Sequence, residues 1–152
     1  MIPIQATHVS AVVLSEFDGT YKMLLLNRVK GGYWCHVAGG VESGEEGWQT
    51  ILRELKEETQ IDALALHSAD FLEQFYEAKK NRIMVVPCFV IFCKPNQNVI
   101  LNHEHTDFRW CSLEEAKHLA PFANQHRLYE HVWAHYIEQA PSQFTRINIA
   151  DV

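Results

Sequence analysis

The amino-acid sequence predicts an α/β sandwich built on a mixed sheet. Three observations carry this reading. Short β-branched and apolar runs recur between hairpin signals, one segment repeats its apolar residues with helical period, and the helical segments interleave with the strands. Hairpins make antiparallel neighbours and helical crossovers allow parallel ones, so the sheet should be mixed.

His8 to Leu14 is β-branched and apolar, Asp18-Gly19 signals a tight turn, and Tyr21 to Val29 resumes as a second strand. Gly31-Gly32 ends that hairpin, Tyr33 to Val37 reads as a short strand, and Gly39-Gly40 with Glu42-Ser43-Gly44 reads as a tight loop. A helix should begin near Glu45 and fade by Gln60, because Trp48, Ile51, Leu52 and Leu55 recur at i, i+3, i+4 and i+7. Phe71 to Ala78 and Arg82 to Lys94 form two more strands joined through Lys79-Lys80-Asn81. Pro87 marks an edge or a bulge in the second of these. Thr106 to Trp110 is a last strand, Ser112 caps a short helix with Glu115 three residues on, and Pro121 precedes a helix from about Asn124 to Gln139.

The chain has 152 residues, 47% of them hydrophobic, which is enough for one core, and a single domain over 1–152 is expected. Its formal charge of −6 provides no basic field for a nucleic acid polymer. Acidic proteins bind polyphosphates when a cation stands between carboxylate and phosphate. Cys35, Cys88, Cys93 and Cys111 form neither a CxxC pair nor a dense framework, so a reducing cytoplasm is expected. No run approaches the roughly 20 apolar residues of a membrane span, and the first residues lack a leader pattern, so neither membrane nor export is expected. A homodimer is left open.

The chemistry concentrates in Arg53-Glu54-Leu55-Lys56-Glu57-Glu58. At about 100° per residue, Glu54, Glu57 and Glu58 fall on one patch beside the apolar face of the helix. Like charges at i, i+3 and i, i+4 repel, and a hard cation converts that repulsion into attraction. Mg²⁺, with Mn²⁺ as the alternative, takes oxygen ligands, keeps waters and bridges to phosphates. A solvated acidic helix face is the plainer account of the same string.

Counting back from Arg53, the residues read Gly39, five residues, Glu45, seven residues, Arg-Glu-aliphatic-x-Glu-Glu, with Ile61 as a closing aliphatic. This segment resembles the Nudix box. Gln60 stands where the family motif has glycine, and every other specified position matches. The resemblance runs over nearly the whole chain in the order of its elements. It implies an α/β/α sandwich whose box forms loop-helix-loop, and hydrolysis of a nucleoside diphosphate linked to a further group. It makes Glu54, Glu57 and Glu58 metal ligands, one of them the base for the attacking water, and has Arg53 orient a box carboxylate such as Glu45. Gly39 would let the backbone turn and approach metal or phosphate closely. At Gln60 only the helix end is weakened, since glycine there would supply a left-handed cap.

Downstream, Glu104 in Asn102-His103-Glu104-His105 is the candidate fourth acidic ligand. The segment resembles that of Nudix hydrolases acting on dihydroneopterin triphosphate or related nucleoside triphosphates. His103 and His105 have no spaced partner and read as polar loop residues. Arg28, ahead of Gly31-Gly32-Tyr33-Trp34, resembles the basic residue of that subgroup, and with Lys30 it could neutralise substrate phosphates. Trp34, Tyr33 and Phe75 could stack on a base or pterin, although core packing is the commoner fate of a strand aromatic. His131 and His135 read as surface residues.

The expected reaction is Mg²⁺-dependent hydrolysis of a nucleoside or pterin triphosphate to a monophosphate and pyrophosphate. The alternatives are an ADP-ribose or dinucleotide pyrophosphatase and a non-catalytic nucleotide-binding module of the same fold. The partner expected is a small phosphorylated molecule.

Overall fold

A computed structural model describes residues 1–149, so the last three positions of the expected domain lie outside the described residues. The elements in order are β1 (Ile4–Gln5), β2 (His8–Phe17), β3 (Thr20–Arg28), β4 (Trp34–Cys35), β5 (Val37–Gly40), α1 (Gly47–Thr59), β6 (Ala65–Glu77), β7 (Arg82–Phe92), β8 (His105–Cys111), α2 (Leu113–Leu119), α3 (Ala123–Val132) and β9 (Arg146–Ile147). The strands join one mixed sheet. β2 and β1 run parallel to β7, and the other pairs are antiparallel.

The apolar runs of β2 and β3 are continuous rather than alternating because both faces of the sheet are covered. Val12, Leu14, Met23 and Leu25 pack towards Leu128, Tyr129 and Val132 of α3 on one side. Ala11, Val13, Leu24 and Leu26 pack with Ile51 and Leu55 of α1 on the other. The α/β/α sandwich is therefore present, with α1 alone on one face. Ile51 and Leu55 are wholly buried, and burial of each is worth about 1.5–3 kcal/mol. That anchoring sets the rotation of α1, and so the direction in which its glutamates point.

Several expectations need correction. Gly39-Gly40 lies in β5, paired with His8 and Val9 of β2, and not in a loop. Tyr33 to Val37 is two strands broken at His36. β6 begins at Ala65, well ahead of Phe71, because a bulge between Ser68 and Leu72, with Asp70 at φ 53°, disrupts its alternation. Pro87 does not mark an edge, since β7 is central. It pairs with Leu72 at the bulge, and on the other side it falls between the β1 partners Ile83 and Met84 and the first β2 partner, Cys88, so no ladder donor is lost there. Helix α3 ends at Val132 and continues as a π turn over Trp133–Ile137. His131 is half-buried and not a free surface residue, with Nε2 2.7 Å from the Ala69 carbonyl, while His135 is exposed.

Ser112 caps α2 as expected, accepting from the Glu115 backbone N–H. Gln60 ends α1 in the left-handed region, at φ 61°, with its N–H on the Lys56 carbonyl. A side chain in that region costs about 1–2 kcal/mol, partly offset by the greater chain entropy of glycine. Gln60→Gly is therefore expected to stabilise the protein by about 0.5–1 kcal/mol, read as a rise in the urea midpoint at unchanged slope. No helix among the described residues is long and apolar enough to cross a membrane.

Candidate active site

The site is assembled where α1 crosses β5 and the segment before β8 returns beside the helix. The side chain of Glu54 lies against Gly39, where a Cβ would stand 2.3 Å from its Cδ. Glycine is required here for close approach of a carboxylate, and its φ is not left-handed. Gly39→Ala should displace Glu54 and cost about 1–3 kcal/mol, seen as a lowered Tm.

Arg53 is the hub. Its Nε and Nη2 hold Glu45 at 2.7 and 3.0 Å, Nη2 also reaches the Gly40 carbonyl at 3.1 Å, and Nη1 reaches Glu54 at 3.0 Å and Glu57 at 3.2 Å. A planar guanidinium can serve this many acceptors at once. The hydrogen bonds from Arg53, then that from the Glu42 backbone, hold the Glu45 carboxyl down at about 2. Thr50 Oγ also donates to Glu45, fixing the loop before the helix.

The three box glutamates do not share one environment. Glu57 is solvent-facing, with its side chain 55% exposed. Glu54 is turned inward, and burial raises its pKa despite Arg53. Glu58 is buried at 4% exposure, and its Oε2 has no hydrogen-bond partner. Burial, then the charges of Glu54 and Glu104 and a hydrogen bond shared with Glu54, push its carboxyl up to about 9. The sequence placed all three together, but their angular spacing on the helix could not show which of them the sheet would cover.

Glu104 and His105 complete the cluster. The Val29 N–H bonds the Glu104 carbonyl at 3.0 Å, and the Asn102 N–H bonds the Glu58 carbonyl at 3.3 Å, so this segment is pinned to both β3 and α1. One ligand atom each from Glu58, Glu104 and His105 lies within 4.8 Å of the others. His105 is therefore not an ordinary loop residue. It opens β8 opposite Arg28, its Nδ1 is buried and unpartnered, and burial first of all lowers its pKa. Two orphaned polar atoms beside three crowded carboxyls are a poor arrangement for a protein alone and a suitable one for a divalent cation. The sequence signal for His105 was its adjacency to Glu104, since a strand's first residue and the residue before it can face one ligand.

Arg28 borders this cluster and also lines a cleft of about 650 Å³. Its Nη1 donates to Tyr33 Oη at 2.9 Å. Tyr33, Phe75, Tyr76 and Phe122 supply aromatic walls. Trp34 does not line the cleft. It packs against the core and lies under the Arg109 guanidinium, 5.7 Å from the ring centre.

A family model described as the NUDIX domain matches residues 6–131. The asymmetrical bis(5'-nucleosyl)-tetraphosphatase of Caenorhabditis elegans is 34% identical over 115 residues, covering 74% of this chain and 83% of that protein. Among solved structures, a C. elegans Ap4A hydrolase in a binary complex superposes with a TM-score of 0.75 at 28% identity, over 86% of this chain and 96% of that one. The E. coli dihydroneopterin triphosphate pyrophosphohydrolase superposes with a TM-score of 0.72 at 20% identity, over 86% and 96%, a likeness in fold alone.

Proposed function

This chain belongs to the Nudix family and is a pyrophosphohydrolase, and from that premise we propose that its substrate is a nucleoside or pterin triphosphate, hydrolysed to a monophosphate and pyrophosphate. The observation that carries this reading is the position of Arg28, which borders the carboxylate cluster at one end and an aromatic-walled cleft at the other. A phosphate chain fits the first and one flat ring system the second.

Glu54, Glu58, Glu104 and His105 are the residues we assign to hold Mg²⁺. When bound, the ion neutralises the phosphate chain and lowers the pKa of water at the site. The imidazole of His105 suits Mn²⁺ better than Mg²⁺, so Mn²⁺ should support turnover as well. Glu57 faces solvent on the Arg53 fork and is the carboxylate we assign to accept the proton of the attacking water. Arg53 positions Glu54, Glu57 and the Glu45 loop. Arg28 binds the phosphate oxygens. Gly39 acts on the substrate through the approach it grants Glu54, and Trp34, in β4 opposite Asn27, by holding the end of β3 that carries Arg28. The four thiols are free, which suits a reducing cytoplasm.

The likeness to an asymmetrical tetraphosphatase favours a second reading, in which the substrate is a dinucleoside polyphosphate. Product analysis separates the two. With Mg²⁺, GTP and dihydroneopterin triphosphate should give monophosphate and pyrophosphate with a higher kcat/KM than Ap4A. Preferential cleavage of Ap4A to ATP and AMP would establish the second reading instead, and ADP-ribose cleavage to AMP would overturn both.

A further inference from the structure

The floor of the cleft holds a buried acid that the box chemistry does not use. Glu73, on β6, is 7% exposed and lines the cleft together with Ser10 from β2 and His36 between β4 and β5. Three donors meet one of its oxygens. Ser10 Oγ stands 2.8 Å from Oε1, His36 Nε2 stands 2.9 Å from it, and Cys88 Sγ makes a weaker contact at 3.6 Å. Tyr129 Oη lies 2.7 Å from the other ring nitrogen of His36. An ionised carboxylate only accepts, so Nε2 carries a proton, and in the neutral ring Nδ1 accepts from the tyrosine. Burial by itself would raise the Glu73 carboxyl, but the contacts with His36, Ser10 and Cys88 outweigh it and hold it below its usual range.

The second oxygen is treated differently. Oε2 takes none of these bonds, and it is not among the described atoms that are sealed from solvent without a partner, as Glu58 Oε2 is. A carboxylate sealed in the core would need both oxygens paired within the protein, since a buried one is costly to leave half-paired, whereas Oε2 of Glu73 can take its partner from the cleft. Here one oxygen is saturated by side chains fixed on β2, on β7 and at the break between β4 and β5, and the other remains available in a slot walled by Tyr33, Phe75, Tyr76 and Phe122. Aromatic walls take the faces of a flat heterocycle, and an anionic acceptor at the floor selects its edge.

We propose that Glu73 is the specificity-determining residue of this cleft, its free oxygen accepting from the ring N–H and exocyclic amine of a 2-amino-oxo-pyrimidine edge, as carried by guanine and reduced pterins. Both groups on that edge are donors, matching an acceptor-only partner. Adenine presents a ring acceptor beside its amine, which would face the carboxylate lone pairs. Hypoxanthine keeps the ring N–H and lacks the amine. The inference rests on the triphosphate reading above and names the ring that reading leaves open.

The test is equilibrium binding of GMP, IMP and AMP by calorimetry, alongside hydrolysis of GTP, ITP and ATP with Mg²⁺. Wild type should bind GMP at least about tenfold more tightly than IMP, as loss of a hydrogen bond to a charged group implies, and AMP more weakly still. Glu73→Gln should compress the three affinities to within about threefold, through loss of GMP affinity and relief of the lone-pair repulsion against AMP. Equal binding of all three by wild type, or an equal loss for all three in the variant, overturns the proposal. If Glu73→Gln does not give a wild-type melting transition, the wild-type series and Ser10→Ala, which keeps the carboxylate, decide it: the GMP preference must be present in the first and persist in the second. Discrimination among the monophosphates without hydrolysis of any triphosphate would overturn the triphosphate reading and sustain this one. Equal binding with intact hydrolysis would do the reverse.

Discussion

Glu58→Gln will make the metal-free protein more stable and remove most of its metal-dependent turnover. The first half follows from a buried carboxyl whose Oε2 has no partner and whose neighbours are Glu54 and Glu104. Because its folded-state pKa is raised from 4.5 to about 9, folding favours the protonated form. The penalty is absent below the unfolded value, grows as pH rises through the interval, and is complete above the folded value. Each pH unit in that window is worth at most about 1.4 kcal/mol for one proton. The difference in stability between Glu58→Gln and wild type should therefore widen from pH 5 to pH 9, reaching on the order of 1–3 kcal/mol near neutrality. Thermal melts in EDTA across that range measure it. Mg²⁺ or Mn²⁺ should reverse the sign for wild type, stabilising it more at higher pH, and should do little for the variant. Loss of one charged ligand at a site of charge development should cost about 10²–10³-fold in kcat. Wild-type turnover in the variant would remove Glu58 from the ligand set.

Arg53→Lys should be nearly as damaging to turnover, by on the order of 10²-fold, although the charge is kept. A lysine ammonium is a point donor and cannot serve Glu45, Glu54, Glu57 and the Gly40 carbonyl together. Those groups belong to the loop, the helix and β5, so losing the fork loosens three parts of the site at once. The pH signature is opposite to that of Glu58. The Glu45 carboxyl is depressed to about 2, so its contribution is full above the usual glutamate range and is lost as pH falls towards 2. Wild type and Arg53→Lys should accordingly differ in urea midpoint at pH 7 and converge on acidification. A constant difference over the range would mean that Arg53 stabilises by packing instead.

The sequence carried the sandwich class and the box helix well, because both rest on local patterns. Asp18-Gly19, Ser112 with Glu115, and the Trp48 to Leu55 repeat are each resolved within a few residues of chain. What it could not carry depends on contacts between distant segments. Gly39-Gly40 looks like loop chemistry until β5 is seen paired with β2, and its true constraint is a side chain from α1. Val9 to Leu14 and Met23 to Leu26 gave no period-2 signal because both faces are covered. Glu73, in a strand of mixed polarity, had nothing local to mark it, since Ser10 comes to it from β2 and His36 from the break between β4 and β5. His105 was undervalued because its partner, Glu58, lies on a different element. Proximity in the chain disclosed the hub at Arg53 and the box carboxylates, whereas burial, which separates Glu57 from Glu58, emerges only from packing.

The parallel pairing of β2 with β7, which sets Ser10 beside Cys88 and Leu14 beside Phe92, also bears on the order of assembly. Contacts of that sequence separation require closure of a long loop before any reward, so they form late and slow the folding of the sheet. The β2–β3 hairpin and α1 are local and need not wait for it, whereas Glu104 meets Glu58 only through a long-range closure of its own, against β3 and α1. The box glutamates meet as soon as α1 forms, whereas the addition of Glu104 to them is expected late, once apolar surface that compensates for it has been buried.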